Sequence, residues 1–213
     1  MKILCIADQI DPLVYSSSIK SRYRDVDLVL SAGDLPLDYL DFIVSSLNSP
    51  LYFVYGNHHL EKYSAFMGSK AYPGGTAWGI THVGSSVRKE KNLIIAGLGG
   101  SMMYNKGTNQ YTETQMTLEI WKLFPRLLFN RIFRGRWLDI LLTHAAPRGI
   151  HDKEDPCHRG FKCFLWFMRF FKPRYFIHGH IHLYDLSELR TTQYGSTLVI
   201  NAYSQYVINT EQS

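Results

Sequence analysis

Five short apolar runs in this chain each stop at side chains that can bind a metal. Residues 3–7 stop at Asp8, 28–32 at Gly33-Asp34, 51–55 at Gly56-Asn57-His58-His59, 140–142 at Thr143-His144, and 175–177 at His178-Gly179-His180-Ile181-His182. Brief apolar runs of this kind read as strands buried on both faces. In open α/β sheets ligands gather at the carboxyl ends of the strands. Imidazoles, carboxylates and a carboxamide delivered from several strand ends describe a centre assembled from the whole fold, and exclude a local metal finger.

The stretches between the runs support an α/β arrangement. Residues 38–47 carry a helical pattern, and strands separated by helices favour parallel pairing with crossovers. Farther on, residues 81–83 and 93–96 flank a charged turn and predict a hairpin that returns to the glycine-rich segment 97–101. Residues 112–124 and 126–134 read as two helices interrupted by Pro125, which has no backbone N–H to donate. Residues 161–171 predict a further helix rich in aromatic side chains. The tail, with runs at 189–193, 197–201 and 206–209 around Tyr194-Gly195-Ser196, predicts an antiparallel meander. The mixture implies a sandwich of two sheets flanked by helices.

With 213 residues, 46% hydrophobic and 19% charged, the chain has the composition of a folded protein with one sizeable core, and a single domain over residues 1–213 is expected. The first apolar run is too short for a signal peptide or a membrane span. Cys5, Cys157 and Cys163 are odd in number and lack finger spacing, so a reducing cytoplasm is the expected compartment. A net charge of +5 suits anionic ligands without naming one. Arg126, Arg131, Arg134 and Arg136 interleave with Trp121, Phe124, Phe129, Phe133 and Trp137. This stretch is read as a helix with its apolar face in the core and its arginines in water, in preference to a helix resting on a membrane. No nucleic-acid-binding module is legible, so specific recognition of nucleic acid is not expected.

Taken together, Asp8-Gln9-Ile10, Gly33-Asp34, Gly56-Asn57-His58-His59, Thr143-His144 and Gly179-His180-Ile181-His182 resemble, in order, the motifs of the calcineurin-like metallophosphoesterase superfamily. The resemblance implies an α/β fold, a four-layer αββα sandwich of two mixed β-sheets flanked by helices, and hydrolysis of phosphomonoesters or phosphodiesters. It implies two divalent ions, manganese foremost, with iron, zinc or magnesium as the other choices. Asp8, Asp34 and His182 would hold one ion, and Asp34, Asn57, His144 and His180 the other, with Asp34 bridging. Two carboxylates against two dications leave a centre positive by about two charges, suited to a phosphate ester and an activated hydroxide. By the same resemblance Asp34 and His58 are catalytic: His58 contacts the phosphate beside Asn57 and protonates the departing alkoxide, a transfer suited to imidazole near neutral pH. In an extended segment His180 and His182 would point to one side, with Gly179 leaving the backbone clear.

Two positions depart from the pattern. Ile10 replaces the histidine of the first motif and cannot bind a metal. One site thus loses a neutral ligand, to be replaced by water or Gln9, by Asp11 from the next turn, or not at all; weaker affinity with chemistry retained is the expected outcome. His59 replaces the acid that usually follows the catalytic histidine. After His144 comes a long loop in which Arg148, His151, Asp152, His158 and Arg159 are candidates for reading the substrate. Backbone donors for phosphate are expected near Gly97–Ser101 and Tyr104-Asn105. The alternatives to the hydrolase are a weak or inactive binding or scaffold protein, as in the family's retromer subunit, and a membrane-surface hydrolase of lipid phosphates or pyrophosphates.

Overall fold

In the computed structural model, which describes residues 1–58, 76–77, 79–185 and 188–210, strand β1 (Lys2–Ala7) has no solvent-facing side. Alternate residues point to opposite faces of a strand. Ile3, Cys5 and Ala7 enter a core shared with the second sheet, and Leu4 and Ile6 pack beneath helices. Each such side chain, fully buried, stabilises the fold by about 1.5–3 kcal/mol.

Strand β1 is followed by α1 (Ile19–Tyr23), β2 (Leu28–Ser31), α2 (Leu37–Leu47) and β3 (Leu51–Phe53), then by the short β4 (Thr76–Ala77) and β5 (Ile80–His82). The first sheet has the order β14-β1-β2-β3-β5-β4, with β14 being Ser204–Asn209. Strands β1, β2, β3 and β5 are parallel, and antiparallel β14 and β4 lie at the edges. The second sheet runs β12-β13-β11-β10-β7-β6. Its parallel centre consists of β7 (Leu93–Leu98), β10 (Ile140–Thr143), β11 (Tyr175–His178) and β13 (Thr197–Asn201). Its antiparallel edges are β6 (Ser86–Glu90) and β12 (Thr191–Tyr194). A two-stranded ribbon of β8 (Ser101–Met102) and β9 (Gln110–Tyr111) precedes α3 (Glu113–Arg134), and α4 (Lys162–Phe171) leads into β11.

Three buried clusters define the layers. One joins the facing sides of the two sheets, through Ile3, Leu28 and Leu30 against Ile140, Leu142 and Ile177. The second seats α1 and α2 on the first sheet, through Ile19, Leu40 and Ile43. The third seats α3 and α4 on the second, with Ile120, Leu123 and Leu127 beside Phe164, Phe167 and Phe171. The expected four-layer αββα sandwich of mixed sheets is the observed architecture.

Three expectations about elements need correction. The hairpin is formed by β6 and β7, not by residues 81–83 and 93–96: β5 lies in the other sheet, and the supposed charged turn is strand β6. Only Val87 of β6 joins the core, so charged residues sit on an exposed edge strand, where they discourage pairing with other chains. Helix α3 runs unbroken through Pro125. Its core-facing stripe, Met116, Ile120, Leu123 and Leu127, continues on both sides of the proline, and Pro125 itself is exposed where water can satisfy the freed carbonyl. The tail is a hairpin of β12 and β13 followed by a crossover, since β13 lies between β12 and β11 and offers β14 no free edge. Strand β14 pairs instead with β1, from Lys2↔Asn209 to Ala7↔Ser204.

Candidate metal centre

The carboxyl ends of β1, β2, β3, β10 and β11 converge, and glycine makes their approach possible. A Cβ on Gly56 would overlap the Asp34 carboxylate and crowd the His144 ring; one on Gly33, at φ +102°, would stand 2.6 Å from the Gly56 nitrogen. A Cβ on Gly179 would meet Ala7 Cβ and Asp8 Oδ2 at 2.7 Å, so this glycine lets β11 end against β1. Asp8 (φ 63°), Asp34 (φ 55°) and His180 (φ 66°) are all left-handed, a conformation costing non-glycine residues about 1–2 kcal/mol each. The segment carrying His180 and His182 is therefore not extended as expected.

Asp34, His144 and His180 each bring a ligand atom within 4.8 Å of the others. His144 is fully buried; its Nδ1 lies 2.7 Å from the Ala32 carbonyl and must donate there. Nε2 then faces Asn57 Oδ1 at 3.1 Å and Asp34 Oδ2 at 3.3 Å. His180 donates from Nε2 to the Cys157 carbonyl at 2.8 Å, which leaves Nδ1 as its lone-pair nitrogen. Imidazoles that give one N–H to a backbone carbonyl and keep the other nitrogen for a cation are the usual arrangement around a metal. The Asp34 Oδ1 accepts the His58 N–H at 2.9 Å, and Asn57 donates from Nδ2 to Tyr104 Oη at 3.3 Å.

The charges ask for a cation. Asp8 accepts the His180 N–H at its Oδ2 (2.8 Å), while its buried Oδ1 has no hydrogen-bond partner among the described residues. Burial pushes the Asp8 carboxyl up to about 7, with the neighbouring Asp34 adding to the rise. Burial alone would raise Asp34 too, but His144 and the His58 N–H outweigh it and hold Asp34 well below the carboxylate range. Burial opposes charge on His144, yet Asp34 and Asp8 carry its pKa up to about 9. Burial and the His144 charge press His180 down to about 3. Carboxylate, carboxamide and imidazole donors thus crowd one volume around the unpartnered Asp8 Oδ1, and a divalent cation fits this donor set.

A family model described as calcineurin-like phosphoesterase matches residues 1–184. The chain belongs to that family. Its members bind divalent metals, in keeping with the ligand cluster of this one. No curated protein matches it in sequence. One crystal structure is similar with a TM-score of 0.63 at 14% identity, over 99% of this chain and 95% of the other. The structure of TT1561 from Thermus thermophilus is similar with a TM-score of 0.61 at 12% identity, over 95% of this chain and 88% of the other. At such identities the likeness is one of fold.

Not every expected residue of this calcineurin-like family member joins the cluster. His182 lies outside the mutually close group; its Nδ1 meets Tyr184 Oη at 3.0 Å and its ring packs against Tyr203. Ile10 is exposed. Asp11 does not take its place, since Oδ1 accepts the Leu13 and Val14 N–H groups and Oδ2 accepts the Ser204 hydroxyl at 2.6 Å. Gln9 lines a cavity of about 330 Å³ with Arg190 and Tyr203. His59 falls outside the described residues.

In the long loop, Arg148 is forked between Asp152 (2.7 Å) and Glu154 (2.7 Å) and staples the loop to itself. His151 turns inward, with Nδ1 at 2.9 Å from His178 Nε2 and Nε2 at 2.9 Å from the Thr192 hydroxyl; burial lowers its pKa to about 4. Among the five loop residues expected to read the substrate, His158 stands near the ligands: its ring lies 5.4 Å from that of His180, and its Nδ1 pairs with Asp155. The glycine segment serves packing more than anion binding, because the Gly100 N–H is used on the Tyr55 carbonyl. Two side chains support the site in roles not expected from the sequence, which points to Tyr104 only for its backbone and to Asn109 not at all. Tyr104 holds Asn57, and Asn109 donates to the Gly56 carbonyl at 2.6 Å. Neither carries a local motif that would have revealed it.

Proposed function

We propose that this protein hydrolyses phosphate esters with two divalent cations, manganese foremost. The observation that carries the reading is the meeting of Asp34, His144 and His180 within 4.8 Å, with both imidazoles oriented by backbone carbonyls. Bound cations would supply Lewis-acid polarisation of the phosphoryl oxygens and activate water for in-line attack. Asp34, Asn57, His144 and His180 would hold one cation; Asp8, Asp34 and His182 would hold the second, more weakly, because Ile10 contributes nothing. The Ala32 and Cys157 carbonyls fix the two imidazole orientations. His58 is exposed and its backbone N–H is tied to Asp34, next to the residues that would hold the cations. From there an imidazole N–H gives its proton to the departing ester oxygen. His158 stands at the wall where the ester's remaining groups are read.

Hydrolysis of p-nitrophenyl phosphate and its bis ester with added manganese tests this. The expected result is metal-dependent turnover that His58→Ala lowers by about 10²–10⁴-fold while the bound metal, measured by elemental analysis, stays the same. One observation favours a second reading: position 10 is exposed and apolar, and Asp11 is committed elsewhere. A binding or scaffold protein with weak metal affinity would show neither metal-dependent nor His58-dependent turnover on either ester.

A further inference from the structure

Helix α3 has two apolar faces, and only one is covered. Met116, Ile120, Leu123 and Leu127 enter the core. On the opposite side Leu118, Trp121, Leu128, Phe129, Ile132 and Phe133 face solvent, the last two with 65% and 69% of their surface exposed. At 3.6 residues per turn these six and Pro125 span an arc of about 140°. The stripe continues onto α4, where Trp166, 6.1 Å from Trp121, stacks on Phe170. Exposed aromatic and aliphatic side chains gathered in this number mark an interaction surface.

Charge says what covers it. Lys122 and Arg126 border the stripe on one side and Arg131 lies beyond its other edge, with Arg136 and Lys172 beside Phe170 at its end. Residues 120–138 and 156–184 contain no aspartate or glutamate. Five cations on this face equal the net charge of +5 for the whole chain. Lys122 pairs with Glu119 and Arg136 with Asp139; Arg126, Arg131 and Lys172 have no ion-pair partner among the described residues. A second copy docked face to face would bring like charges together. No described helix is long and apolar enough to cross a membrane, so a bilayer would meet this face from the side.

We propose that the outer face of α3 and α4 docks on an anionic lipid bilayer, with Trp121, Phe129, Ile132, Phe133, Trp166 and Phe170 entering the interface and the arginines meeting lipid phosphates. The inference stands apart from the proposed chemistry. Co-sedimentation of the full chain with vesicles of phosphatidylcholine, with or without phosphatidylglycerol, tests it. The protein pellets with the anionic vesicles and not with the zwitterionic ones, and its tryptophan emission shifts to the blue. Arg126→Glu with Arg131→Glu lowers the vesicle partition constant by about twentyfold or more, from roughly fivefold per lost cation. Phe129→Ser, Ile132→Ser and Phe133→Ser together abolish pelleting, while thermal unfolding shows all variants folded. Protein left in the supernatant with anionic vesicles at low salt overturns the proposal. So does a dimer in sedimentation velocity that the serine variant dissociates, combined with no vesicle binding; the face then belongs to a second copy.

Discussion

His144 and Asp34 face each other across 3.3 Å, with the imidazole fully buried and its far nitrogen held by the Ala32 carbonyl. Replacing the acid by its neutral isostere, Asp34→Asn, keeps the shape of this contact and removes its charge. Manganese affinity is expected to fall by about a hundredfold or more, since even supporting residues around metals contribute ten- to a hundredfold. Isothermal titration of chelator-treated protein measures it; unchanged affinity would remove Asp34 from the ligand set.

The same contact sets a pH dependence. His144 is raised on folding from 6.5 to about 9, mainly by Asp34 once the cost of burial is overcome. A raised cationic group contributes stability that is whole below its unfolded value and is lost as pH climbs through the folded one. Metal-free protein should therefore melt progressively lower from pH 7 to pH 9.5, more steeply than Asp34→Asn. Added manganese takes the place of the proton, so loading at pH 7.5 releases protons into a weak buffer.

Gly56 carries a prediction that separates site from fold. Its missing Cβ leaves the room that the Asp34 carboxylate and the His144 ring occupy. Gly56→Ala should displace both and abolish metal binding, at a stability cost of about 1–3 kcal/mol. Circular dichroism should show the sheets intact while elemental analysis finds no tightly bound ion.

Ile10→His tests the proposed weak binding of a second ion. The position is exposed, just beyond the turn at Asp8, and its neighbour Asp11 is occupied by backbone amides and Ser204. Restoring an imidazole should lower the manganese concentration for half-maximal turnover by about tenfold. An unchanged requirement would mean that side chains other than residue 10 complete that ion's shell.

Much of this architecture was legible because burial on both faces writes itself into the sequence. β1, β2, β3, β10 and β11 are unbroken apolar runs, and the residues that end them are the ones gathered at the site. What stayed hidden depends on partners far along the chain. Edge strand β6 buries little besides Val87, so its Ser-Val-Arg-Lys-Glu letters carry a turn's composition. Pro125 broke a local rule that the packing of Ile120, Leu123 and Leu127 overrides. The left-handed turn at His180, and with it the separation of His182 from the cluster, comes from the contact of Gly179 with Ala7 and Asp8. Arg148 and His151 were legible as loop residues, but their partners Asp152, Glu154, His178 and Thr192 decide which way they face.

The pairing of β14 with β1 joins Lys2 to Asn209, almost the full length of the chain. Until that last strand arrives, the segment ending in Asp8 has one open flank and the first sheet lacks its border. During synthesis the ribosome would release every proposed ligand before the strand that secures Asp8, so ordering of the pocket waits until β14 has emerged. Cation uptake would then report on the arrival of β14, with fragments that stop short of it unable to retain the ion.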